Sequence, residues 1–178
     1  YLRDSKVRKL LRQYPKPRYG KDGYHLYVSS NNEGASALVK ELEDLIGKRG
    51  KGSGCFSNGG LKIATPVSNE DRLRVELRKC NAMLVYLNMR TWTTEPASSR
   101  LAAEVRLAIV EKTPLLLVYE YPGVEQDESH CACEFDFIIR TTPQDLVEGS
   151  QNGSMPRIYD QMAKELMGGE YREVSLAR

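Results

Sequence analysis

Glu104 is the carboxylate in this chain best placed by its surroundings to do chemistry. It lies inside a helical pattern whose apolar residues, Leu101, Ala102, Val105, Ala108 and Ile109, gather on one side. At about 100° per residue Glu104 projects at the margin of that stripe, between core and solvent, where a carboxylate can line a cleft. The competing reading is a solvated helix charge with Arg100 as its partner one turn earlier. Trp92, the only tryptophan, stands in the polar stretch Asn88 to Pro96 and reads either as a lid plugging the sheet edge or as a stacking platform for a ligand ring. The run His130, Cys131, Ala132, Cys133 could ligate a metal with a further ligand from His25 or Cys55, but its spacing is not that of a zinc knuckle. Ordinary reduced thiols and no bound metal are the expectation. His25, at the start of a strand, is expected to be structural, and no nucleophile elbow or His-Glu-x-x-His motif accompanies either histidine.

The elements that would position these residues follow from periodicity. Tyr24 to Val28 is rich in aromatic and β-branched residues and ends in the polar run Ser29, Ser30, Asn31, Asn32, which predicts a first strand and its loop. Leu38, Val39, Leu42, Leu45 and Ile46 share one helical face, with Gly47 as a stop. A short strand is expected at Leu61 to Ala64, then a helix carrying Leu73, Leu77 and Cys80, opened by a capping-box-like pair of Ser68 and Asp71. Ala82 to Leu87 is a continuous apolar run, as in a strand covered on both faces of a parallel sheet. Ser98 or Ser99 could cap the helix that carries Glu104. Leu115 to Tyr119 and Phe135 to Ile139 are expected as the last strands, and Met155 to Met167 as the last helix. Alternation of strands and helices implies a doubly wound α/β fold: a flavodoxin-like, five-stranded parallel sheet with helices on both faces. In such a sheet, ligands bind beyond the carboxyl ends of the strands. The loops to inspect therefore hold Ser29, Ser30 and Asn31, then Thr65 to Asn69, then Asn88 to Pro96.

The bounds set by composition agree with one domain. A chain of 178 residues with 40% hydrophobic content can bury one sizeable core. A net charge of +2 gives no basic footprint for nucleic acid or for a membrane surface. No stretch approaches the roughly 18 apolar residues of a membrane span, so an intracellular, cytoplasmic setting is expected. Residues 1–22 are basic and broken by Pro15 and Pro17, and read as an arm or linker; residues 23–170 form the domain, and 171–178 a tail. Opening on Tyr1, the chain is expected to be a piece of something larger. Gly47 to Gly60 is glycine-rich and basic, but it follows a helix and precedes a strand, the reverse of a phosphate-cradling loop.

From Tyr24 to about Gly169 the chain resembles the Toll/interleukin receptor (TIR) domain family. Tyr-His-Leu-Tyr-Val-Ser-Ser is similar to the family's first strand, and Leu-Arg-Lys-Cys-Asn-Ala-Met-Leu-Val-Tyr-Leu-Asn to its second helix running into its third strand. Met89, Arg90, Thr91, Trp92, then Ser98, Ser99 and Leu101-Ala102-Ala103-Glu104-Val105 before Pro114-Leu115-Leu116-Leu117-Val118 are similar to the loop, helix and fourth strand that follow. The family departs from this chain after strand one, where Ser29 to Glu33 replaces Arg, Gly and acidic residues, and at Leu101, where many members have Cys. The resemblance implies that Glu104 takes the place of the glutamate that cleaves NAD+ in the enzymatic members. It further implies that Ser29, Ser30, Asn31, Asn88, Trp92 and Ser98 contact the nucleotide. NAD+ would be substrate, with no resident cofactor. The alternative implied by the same resemblance is a non-catalytic signalling or scaffold module that associates with its own kind or with other domains of a larger protein.

Overall fold

A computed structural model describes residues 22–49, 61–67, 69–119, 131–149 and 156–160, with the backbone alone for 45–49. The expected readings of the basic arm, the Gly47 to Gly60 loop beyond residue 49, Ser68, Cys55, His130, residues 161–167 and the tail fall outside these residues.

The chain is α/β. In order it runs β1 (Tyr24–Val28), α1 (Ala35–Arg49), β2 (Ile63–Ala64), α2 (Glu70–Lys79), β3 (Cys80–Leu87), α3 (Ala97–Val110), β4 (Leu115–Tyr119), α4 (Phe135–Thr141) and α5 (Gln144–Glu148). The four strands form one all-parallel sheet in the order β2-β1-β3-β4. All eight residues of β3 are buried, because this strand has a neighbour on each edge and side chains covering each face. That is the arrangement its unbroken apolar run calls for.

Side-chain alternation along β1 and β3 divides the core in two. Leu26, Val28, Ala82, Leu84 and Tyr86 pack against Ala35, Leu38, Val39 and Leu42 of α1. Tyr27, Met83, Val85 and Leu87 face the other way, toward Leu73 and Leu77 of α2, Leu101 and Val105 of α3, Ile138 of α4 and Leu146 of α5. In α3 the buried residues are Ser98, Leu101, Ala102, Val105, Leu107 and Ala108, so four of the five expected stripe residues are buried, Ile109 is only half-buried against the same cluster, and Leu107 joins them.

Three local expectations are corrected. Phe135 to Ile139 is the start of helix α4, not a strand. Its Phe-Asp-Phe-Ile-Ile pattern fits either periodicity over so few residues, and the helix buries Ile138 while leaving Asp136 outside to pair with Arg140 at 3.0 Å. The N-cap of helix α2 is Asn69, whose side chain accepts from the Arg72 N–H at 3.1 Å, where a pair of Ser68 and Asp71 is expected from the sequence. Neither Ser98 nor Ser99 caps α3; both sit within it and donate to the Glu95 carboxylate, at 2.8 and 2.9 Å. Strand β2 is also shorter than expected, only Ile63 and Ala64 pairing with Leu26 and Tyr27. No helix among the described residues is long and apolar enough to cross a membrane.

Candidate functional site

The site forms where the carboxyl end of β1 meets the side of α3. Tyr27 is the fourth residue of β1, fully buried, on the face that packs against α3. A buried phenol needs a partner for its hydroxyl, and this one donates to Glu104 Oε2 at 3.1 Å. One turn of chain later, the buried Ser29 Oγ accepts the Asn31 N–H at 3.0 Å. That contact bends the loop back on itself, and the Asn31 side-chain amide donates to Glu104 Oε1 at 2.7 Å. Each oxygen of the carboxylate is thus held by a neutral donor.

No ion pair among the described residues involves Glu104, so the pairing with Arg100 that the competing reading calls for is not realised. The reason is geometric: the half-buried Glu104 side chain leans toward β1, whereas Arg100 is exposed. The distinction matters chemically. A carboxylate held by hydrogen bonds from uncharged groups is oriented without being neutralised, and its field stays available to a developing cation. Burial, reinforced by the Glu104 charge and the hydrogen bond to it, pushes the Tyr27 phenol far above its ordinary value. Tyr27 therefore keeps its proton and remains a donor at any physiological pH.

Asn88, an expected ligand contact, has its side-chain amide engaged within the protein. Buried at the end of β3, it donates through Nδ2 to the Glu33 carbonyl at 2.9 Å and accepts the Arg90 N–H on Oδ1 at 2.8 Å. Its own N–H goes to Thr91 Oγ1 at 2.9 Å, and that hydroxyl donates to the Tyr86 carbonyl at 2.8 Å. The loops after β1 and β3 are stitched together by this amide, and an Arg90–Glu33 ion pair closes the same seam on the outside.

Trp92 is 7% exposed and belongs to the larger apolar cluster. Its indole N–H donates to Tyr159 Oη at 3.1 Å; Tyr159 lies 2.6 Å from Thr142 Oγ1, which donates to the Ile138 carbonyl at 2.7 Å. Burial pushes the Tyr159 phenol up to about 12, with the Thr142 and Trp92 hydrogen bonds pulling the other way. The polar bonds of Trp92 run to this relay and not to the Glu104 cluster.

Of the other expected contacts, Ser29 shapes the loop, Ser30 is exposed, and Ser98 is buried against Glu95. Cys131 and Cys133 form no disulfide, and no group of three or more His, Cys, Asp or Glu side chains among the described residues could hold a metal ion. His25 is structural: its Nδ1 accepts the Lys62 N–H at 2.9 Å, which fastens β2 to β1. Tyr27, Asn32 and Gly34 escaped the reading of the sequence as site residues. The available signal for Tyr27 was a phenol in the middle of an otherwise apolar strand, which must find a polar partner somewhere in the core.

No family model, curated protein or solved structure matches this chain.

Proposed function

We propose that this chain is a TIR-like domain of flavodoxin-like wrapping that acts as an NAD+ glycohydrolase, with Glu104 as its catalytic carboxylate. The observation that carries the reading is Glu104, in no ion pair among the described residues and oriented by Tyr27 and Asn31 beside the carboxyl end of a parallel strand. The strand order β2-β1-β3-β4 supports the wrapping, since it matches the first four places of the flavodoxin-like order; a fifth strand beside β4, from residues other than 135–141, would complete it.

The chemistry asks little of the protein beyond electrostatics and position. Nicotinamide in NAD+ already carries a positive charge on its ring nitrogen, so it leaves with the bonding electron pair as a neutral molecule and needs no general acid. The ribosyl carbon becomes an oxocarbenium-like cation, which the Glu104 carboxylate stabilises. Water then attacks that carbon and releases a proton, giving ADP-ribose.

The test is NAD+ consumption by the purified chain at high concentration. Turnover that disappears in Glu104→Gln, with an unchanged melting temperature, is the expected result. Absence of turnover in the wild-type chain would sink the reading.

A second reading, a non-catalytic self-associating module, is favoured by Val75 on α2 and Val110 on α3, which are 48% and 63% exposed. A sedimentation series showing concentration-dependent association without NAD+ turnover would select it.

A further inference from the structure

The two donors on Glu104 are unlike each other, and the difference has a consequence for how the site opens. Tyr27 is fully buried in the middle of a strand that is paired on both sides, its Cα opposite Ala64 of β2 and Met83 of β3. Its hydroxyl cannot leave Oε2 without disturbing the sheet. Asn31 is half-buried in the loop after β1, next to the exposed Ser30, and its backbone N–H is turned by the Ser29 hydroxyl. Its side chain can swing away at the cost of one hydrogen bond.

The terminal torsion of a glutamate is broad, so a carboxylate left to itself does not aim either oxygen at a fixed point. A rigid donor on one oxygen fixes the direction of the other. We infer that Tyr27 is the positioning residue of Glu104: it pins Oε2 from inside the sheet, so that Oε1 is the oxygen presented to a ligand once Asn31 gives way. Its catalytic consequence rests on the glycohydrolase reading; the pairing itself does not.

Two measurements on the whole chain separate these. The first is steady-state NAD+ hydrolysis by Tyr27→Phe, which removes the hydroxyl and keeps the ring. Loss of one hydrogen bond to a charged acceptor that matters in the transition state lowers kcat by about ten- to a hundredfold, while KM stays within about twofold of wild type. Wild-type kcat in a folded Tyr27→Phe overturns the inference and leaves the glycohydrolase reading intact. The second needs no turnover. With tyrosines labelled at the ring carbon bearing the hydroxyl, the Tyr27 NMR signal is displaced in Glu104→Gln, which exchanges the charged acceptor of its hydrogen bond for a neutral amide. A Tyr27 signal indifferent to Glu104→Gln overturns the inference, whether or not the chain hydrolyses NAD+. Should Tyr27→Phe fail to fold, the second measurement decides alone, because it leaves Tyr27 in place. Should the wild-type chain show no turnover, the enzymatic reading falls and the positioning of Glu104 by Tyr27 is judged on the same signal.

Discussion

Asn32 grips the backbone of Tyr86 from both sides: its Oδ1 accepts the Tyr86 N–H at 2.7 Å, and its Nδ2 donates to the Tyr86 carbonyl at 2.9 Å. The pairing between β1 and β3 runs only as far as Val28 and Leu84. An asparagine side chain has the same donor and acceptor as a peptide unit, so Asn32 continues the ladder after the strand itself has turned away. The loop carrying Asn31 is thereby tied to the centre of the sheet.

Asn32→Ala is expected to lower stability by about 1–3 kcal/mol, the usual cost of removing a partner from buried polar groups. Asn32→Asp is expected to cost more, because it keeps the acceptor but turns the donor into a charge facing a carbonyl. Denaturant midpoints of the two variants check this, and a midpoint unchanged in Asn32→Ala would contradict it.

Gly34 has a φ of +82°, and a Cβ built there would lie 2.9 Å from Tyr86 Cε1 and 3.3 Å from Asn88 Nδ2. The ring it would strike is part of the packed core beneath α1, not the loose end of a flexible chain. Gly34→Ala therefore meets both backbone strain and a clash, and a loss of about 1–3 kcal/mol is expected. Thermal unfolding reads it directly; a melting temperature equal to or above wild type would show that the loop re-forms with another backbone.

His25 makes stability depend on pH near neutrality. Burial, and then the Lys62 charge, hold it below its ordinary value of 6.5, and its Nδ1 must stay unprotonated to accept the Lys62 N–H. The unfolded chain thus takes up this proton at a higher pH than the folded one. The contribution of His25 is fully present above about 6.5 and is lost as pH falls toward the folded value. Melting temperature should fall between about pH 7.5 and pH 5.5, and His25→Asn, which offers an acceptor that does not titrate, should flatten that slope. An identical slope in His25→Asn would assign the effect elsewhere.

Much of this was legible from the residues in order. The unbroken run from Ala82 to Leu87 announced a strand covered on both faces, and β3 is that strand. The spacing of Leu38, Val39 and Leu42, and of Leu73 and Leu77, announced faces that α1 and α2 do bury. Where two periodicities fit equally, the reading went astray: Phe135 to Ile139 has the composition of a strand, and only the demand of the core for Ile138, with Asp136 outside, makes it a helix. The caps were not legible either: Asn69 caps α2, and α3 starts after Pro96 without a side-chain cap, its Ser98 and Ser99 donating to Glu95 instead.

The amino-acid order alone determined the alternation of elements from β1 to β4, the faces they bury and the marginal position of Glu104, because each depends on neighbours within a turn or two of chain. What Glu104 touches was decided by the tertiary structure: its two donors come from 77 and 73 residues away, and Arg100, one turn off, is not among its partners. The packing of β1 against α3 sets which side chain arrives at which oxygen, and no local period records that register. The same holds for Trp92, whose loop suggested a ligand and whose indole is spent on Tyr159, 67 residues on.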